Sequence, residues 1–227
     1  MEHLLDYIQR TAPGLVLIAL VFILARPRRH ARVVLYILTF VLLRDALTPV
    51  SLWSLGVADG APWIRLFPSH LFLLGMGLSS LLAVVLLVVL DKENSRDVVF
   101  LRRGYGLQAW PAAALGLAIL LAPVFFSYRA IGIEERGGAV DTGLIGSLLV
   151  FALLGNLLEE LLFRGYVYNN FRTKDVDLRA GVICGIVGAK YGVLPAAVVH
   201  GGAIFMLTSG LMNVCFRGVM PFASAFG

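Results

Sequence analysis

The stretch Asn156-Leu157-Leu158-Glu159-Glu160-Leu161-Leu162-Phe163-Arg164-Gly165-Tyr166 places two adjacent carboxylates in an apolar run, with an arginine four residues after the second. Residues 142–158, directly upstream, contain no ionisable side chain in 17 positions. That run is long enough to carry the pair to membrane depth. An ionisable group there costs about 2.5–3.5 kcal/mol on insertion scales, which makes it a functional candidate.

On a helix, neighbours in sequence point about 100° apart, whereas residues i and i+4 share a face. Glu160 and Arg164 are therefore expected to pair, leaving Glu159 unpartnered. A carboxylate kept from bulk water is suited to act as a general base on a water molecule. The bland reading of Glu160 and Arg164 is a structural ion pair that fixes helix packing, and the adjacent Glu159 is what that reading leaves unexplained. Downstream, His200 is the last histidine of the chain, followed by Gly201 and Gly202. An imidazole there could donate to the oxyanion of a tetrahedral intermediate, or be a packing residue with a single hydrogen bond.

The rest of the composition sets the expected class. The 227 residues are 59% hydrophobic and 15% charged, with mean hydropathy +0.87. Soluble domains carry about 25% charged residues, so the expectation is an all-α, polytopic transmembrane bundle of about six to seven spans. Residues 1–227 read as a single integral membrane domain, with the motif-bearing core at about 142–215. The formal charge of +5 gathers in short loops, as in cytoplasmic loops of membrane proteins. It therefore speaks for a lipid bilayer as partner and against nucleic acid. Cys184 and Cys215 sit in apolar segments without metal-type spacing and read as buried thiols.

In chain order, residues 1–13 suggest a short amphipathic or interfacial lead and 14–25 a first span, extended backward toward Tyr7. The basic run at 26–32 marks the cytoplasmic side, which puts the N-terminus opposite. Residues 33–43 open a second span, and Arg44-Asp45 beyond it reads as a self-neutralising structural pair near a helix break, the alternative being a mid-membrane functional site. The tryptophan-bearing segment 51–67 suggests an outer interfacial loop, with His70 capping the span at 71–90. A basic loop at 91–105, a span at 107–126 and an outer loop at 129–141 containing Glu134-Glu135-Arg136 follow. After the motif comes a cytoplasmic loop at 172–179, a short glycine-rich run at 180–189 and an apolar run at 193–214. If that last run entered from the outer side, His200 would lie only ~10 Å deep and Glu159 ~25 Å along its own helix from Thr142. The two would then meet only through a re-entrant or tilted segment, which the breaks at Lys190, Gly192 and Pro195 permit.

The wording Glu159-Glu160-x-x-x-Arg164-Gly165-Tyr166 resembles the first motif of the CAAX-protease and bacteriocin-processing (CPBP, or Abi) family, and the short chain is similar to a compact sorting-type branch of it. The likeness covers roughly residues 155–213. It implies a helical bundle, an intramembrane endopeptidase of glutamic type, Glu159 as activator of the water, and later histidines that stabilise the oxyanion. It also implies a membrane-associated peptide or C-terminal anchor as substrate. The family's Phe-x-x-x-His motif meets Ala196 four residues before His200, and its His-x-x-x-Asn motif meets Ile204 four residues after, with Asn213 further along. No cofactor or metal is expected, because one histidine and two glutamates fall short of a zinc ligand set. The alternatives are a non-catalytic membrane binding, immunity or assembly protein, and a small transporter relaying protons through Glu159.

Overall fold

The computed structural model describes residues 2–58, 61–128, 140–171, 182–209 and 211. The chain is mostly helical there. The helices are α1 (Glu2–Ala25), α2 (Arg29–Asp45), α3 (His70–Leu90), α4 (Lys92–Ser95), α5 (Gly106–Tyr128), α6 (Ile145–Glu160), α7 (Tyr168–Phe171), α8 (Val182–Tyr191) and α9 (Val193–Ser209). A 3-10 turn, Thr142–Leu144, leads into α6, and a π-helix, Leu161–Val167, continues it into α7.

Among the described residues, three stretches are long and apolar enough to cross a membrane: Leu5–Ala25, His70–Leu90 and Thr142–Asn170. The runs Gly106–Ala122 and Val193–Ser209 are apolar but shorter. Leucines such as Leu24, Leu71, Leu82 and Leu90 point outward, a surface suited to hydrocarbon rather than water. α8 has 10 residues, about 15 Å at 1.5 Å per residue, roughly half of a bilayer's apolar core.

Several expectations are corrected. The chain is mostly helical as expected, but the segment read as an interfacial loop pairs residues 53–58 with 61–66 as an antiparallel hairpin. Its strands are β1 (Trp53–Ala58) and β2 (Ala61–Leu66), with Trp53 opposite Leu66 and Ala58 opposite Ala61. No interfacial lead is separate from the first span: α1 is continuous through Pro13, and Tyr7 Oη donates to the Leu43 carbonyl at 2.9 Å, which sets α1 antiparallel to α2. Ser69, not His70, caps α3 by accepting from the Phe72 N–H, whereas His70 Nδ1 reaches Ser147 Oγ on α6 at 2.7 Å. The Glu134-Glu135-Arg136 run, the loop at 172–179, Asn213 and Cys215 lie outside the described residues.

α6 is the central helix, packed between α3 and α9. Its contact with α9 depends on Gly201: a Cβ there would lie 2.6 Å from the Ala152 carbonyl oxygen and 3.0 Å from Leu153 Cα. Small residues permit this backbone approach where apolar transfer gives helices no drive to associate. At the other end of α6, Leu161, Leu162 and Tyr166 of the π-helix bury against Val33 of α2 and Val84 of α3. Tyr166 Oη donates to the Leu87 carbonyl at 3.1 Å and lies 2.7 Å from Ser95 Oγ.

A buried polar knot ties the same end together. Asp91 accepts from Arg32, Tyr36 and Asn94, and Asn170 Nδ2 donates to Asn94 Oδ1 at 2.8 Å. Burial pushes the Asp91 carboxyl up, but the bonds from Asn94 and Tyr36 and the charge of Arg32 outweigh it and hold it below its ordinary value.

Candidate functional site

The start of α9 explains how His200 reaches the glutamates. A helix leaves its first four N–H groups without intrahelical partners. In α9, Val193 N–H donates to the Val99 carbonyl and Leu194 N–H to the Phe100 carbonyl, both at 2.9 Å. Pro195 has no N–H, and Ala196 N–H reaches the Gly192 carbonyl at 3.5 Å. Gly192 makes the turn from α8 with φ +111°, and a Cβ there would lie 2.7 Å from the carbonyl oxygens of Val99 and Phe100. Only glycine fits, on both counts.

This docking places the N-terminus of α9 beside residues 98–102, at the end of the molecule where α3 and the π-helix finish. An entry of α9 from the opposite end, under which His200 and Glu159 would sit at mismatched depths, is thereby corrected. His200 lies seven residues into α9, about 10 Å from that end, and Glu159 and Glu160 close α6 near the same level.

Five side chains converge there. Glu160 is fully buried and pairs with Arg164 as the i,i+4 spacing predicted. The same carboxylate oxygen, Oε1, lies 2.9 Å from His200 Nδ1. Glu160 Oε2 is buried without a hydrogen-bond partner among the described residues. Glu159 Oε1 lies 3.9 Å from His200 Nε2. Atoms at that separation can share one water at ordinary hydrogen-bond distances of about 2.8 Å. With Nδ1–H given to Glu160, Nε2 carries a proton only in the imidazolium form; the tautomer is assigned from this bond.

Glu159 is not unpartnered, which corrects the reading of it as the free member of the pair. Its Oε2 accepts from Arg44 Nη1. The expectation that Arg44 neutralises Asp45 fails for a geometric reason: neighbours on a helix do not face each other. Asp45 is exposed, and Arg44 instead reaches α6 across 115 residues of sequence. The Arg44 guanidinium stacks on the rings of Trp53 (4.8 Å) and Phe40 (5.6 Å). A signal for Arg44 was present, since it is an ionisable residue at the end of an apolar run like the glutamates.

Asn156, one turn before Glu160, was also missed. It is buried, donates to the Ala152 carbonyl at 2.6 Å, and its Oδ1 has no partner among the described residues. Ala196, where the resembled motif has phenylalanine, is fully buried beside Gly188 in the close packing of α8 and α9. Ile204, one turn beyond His200, lines a cavity of about 590 Å³. That cavity lies between α2, α3, α6 and the hairpin, and Arg44, Trp53, Gly155 and Asn156 also line it.

Among the described residues no three His, Cys, Asp or Glu side chains form a group that could hold a metal ion; each glutamate at the site gives an oxygen to an arginine. No family model, curated protein or solved structure matches this chain, so the functional reading rests on the two glutamates, the histidine between them and the two arginines that hold them.

Proposed function

We propose that this chain is an integral membrane endopeptidase of glutamic type, related to the CPBP family, that cleaves a membrane-associated peptide or C-terminal anchor. The observation that carries this reading is His200 seated 2.9 Å from Glu160 and 3.9 Å from Glu159, beside an apolar cavity. In the proposed topology six helices cross the bilayer: α1, α2, α3, α5, α6 and α9. The N-terminus is non-cytoplasmic, and α8 reaches only part of the way through. The membrane is the plasma (inner) membrane.

Each group has a role. Glu159 takes a proton from a water it shares with His200, and the resulting hydroxide attacks the scissile carbonyl carbon. The imidazolium form of His200 donates from Nε2 to the oxyanion that forms. Collapse of the tetrahedral intermediate breaks the C–N bond, and Glu159 returns its proton to the leaving nitrogen. Glu160, bonded to His200 Nδ1 and to Arg164, fixes the ring's orientation, as a carboxylate does for a catalytic histidine. No cofactor enters these steps.

A second reading, a non-catalytic membrane protein that binds a partner, is favoured by one observation. Two arginines balance the two glutamates, as a purely structural network would require. The test is cleavage of a reporter carrying a C-terminal apolar anchor, co-expressed with the wild type, Glu159→Gln and His200→Ala. Loss of cleavage in both variants at normal membrane levels supports the peptidase. An unchanged phenotype in both supports the binding protein.

A further inference from the structure

The cavity has a chemical asymmetry that the proposed reaction does not use. Its lining is apolar, and its hydroxyl groups are already engaged. Thr39 donates to the Leu35 carbonyl, Ser79 and Ser80 to that of Met76, Tyr7 to that of Leu43, and Tyr36 to Asp91. Among the described residues lining it, Arg44 alone carries a charge.

Two sets of donors at the Arg44 end are unengaged. A guanidinium has five N–H donors in a rigid fork that matches a carboxylate. Arg44 uses Nη1 on Glu159, and no other hydrogen bond from its guanidinium occurs among the described residues. Trp53 Nε1, on the ring that stacks against this guanidinium, is buried without an acceptor among the described residues. A buried donor with no acceptor is unfavourable unless a ligand supplies one.

From these observations we infer that the cavity is a binding site for a long-chain carboxylate, whose head group takes donors from Arg44 and Trp53 Nε1 and competes with Glu159 for the guanidinium. A hydrocarbon chain fits because it needs no hydrogen-bond partners from a wall whose hydroxyls are engaged. An extended peptide would bring a row of N–H and C=O groups, and apart from Asn156 Oδ1 the described lining side chains offer its N–H groups no unengaged acceptor. Binding brings a second carboxylate to Arg44, so the one guanidinium charge is drawn from Glu159 toward the head group. The released Glu159 is left facing His200 Nε2 across 3.9 Å. Arg44 is thus the specificity residue of this site and, through its hold on Glu159, a regulator of the proposed peptidase. Only this regulatory consequence rests on the peptidase reading.

The test compares oleate with methyl oleate, which has the same chain and no charge, on the full-length protein in detergent. Oleate is expected to raise the thermal midpoint at concentrations at least ten-fold below any effect of the ester. Arg44→Gln is expected to abolish that preference, Arg44→Lys to retain part of it, and Trp53→Phe, which keeps the ring and removes the N–H, to weaken it. Labelling of Glu159 by a hydrophobic carbodiimide, read by peptide mass spectrometry, should rise several-fold with oleate and stay unchanged with the ester. Equal effects of oleate and ester, or labelling that oleate leaves unchanged, overturn the proposal. So does an apolar peptide acid that outcompetes its own amide where oleate does nothing. Because neither readout needs cleavage, a chain that binds oleate but never cuts a peptide fails only the peptidase reading.

Discussion

Replacing Gly201 by alanine should disable the site without touching any of its charged groups. The added Cβ would lie 2.6 Å from the Ala152 carbonyl oxygen, where ordinary contact begins near 3.4 Å. The obstacle is the backbone of α6, which cannot turn aside, so α9 must retreat by about 0.8 Å to recover that contact. His200 moves with it. Adding that shift to the 2.9 Å His200–Glu160 contact gives about 3.7 Å, beyond hydrogen-bond range. Overpacking of this kind costs about 1–3 kcal/mol, and a lost bond to a charged group about 1.5–3 kcal/mol. Partial relaxation keeps the expected total near 2–4 kcal/mol.

Two neighbouring substitutions make the comparison sharp. At Gly202 the added Cβ meets the Leu117 side chain at 2.8 Å, which can rotate away, so Gly202→Ala should cost about 1 kcal/mol or less. At Gly75 it meets nothing within 4 Å, so Gly75→Ala should be neutral or gain up to about 1 kcal/mol in helix propensity. The assay is thermal unfolding in one detergent, paired with nitrogen NMR of the histidine ring. Equal midpoints for Gly201→Ala and Gly202→Ala, with an unchanged His200 Nδ1 signal, would refute the packing argument.

Other expected outcomes follow from named contacts. Arg44→Met strands the partly buried Glu159 charge and should destabilise by roughly 1–3 kcal/mol; the double variant Arg44→Met with Glu159→Met should recover most of that loss in a thermal double-mutant cycle. Gly192→Ala forces a strained backbone and a 2.7 Å clash with two carbonyl oxygens, so it should detach α9 and lower the amount of folded protein in the membrane. The folded Asp91 carboxyl sits below its ordinary value. Its stabilising effect is therefore complete above the unfolded value, near 3.8, and is lost as pH falls through the folded one. Thermal midpoints of Asp91→Asn should accordingly vary less between about pH 5 and pH 3 than those of the wild type. Tyr166→Phe removes a buried hydroxyl with two partners and should cost about 1–2 kcal/mol.

Local physics made much of this molecule legible in its sequence. Helical periodicity put Glu160 with Arg164, and the apolar runs located the long helices at 71–90 and 142–158. Contacts between distant segments were not legible. Nothing near Glu159 announces Arg44, and nothing near His200 says that Val193 and Leu194 dock on Val99 and Phe100. The hairpin was not read from the sequence, although Asp59-Gly60 is a strong two-residue hairpin signal; the tryptophans suggested an interfacial loop instead. The π-helix at Leu161–Val167 has no sequence signature in the motif, although such widened turns recur at functional sites.

The central claim is that Glu159 activates a water beside His200. The most direct measurement is the cleavage rate of an anchored reporter in proteoliposomes containing purified wild type or Glu159→Gln, at matched folded protein. Glutamine keeps the shape and a hydrogen bond to Arg44 but cannot accept a proton. A general base of this kind contributes about 10²–10⁴-fold, so a loss of at least a hundred-fold is expected with the thermal midpoint little changed. Cleavage by Glu159→Gln at the wild-type rate would contradict the mechanism.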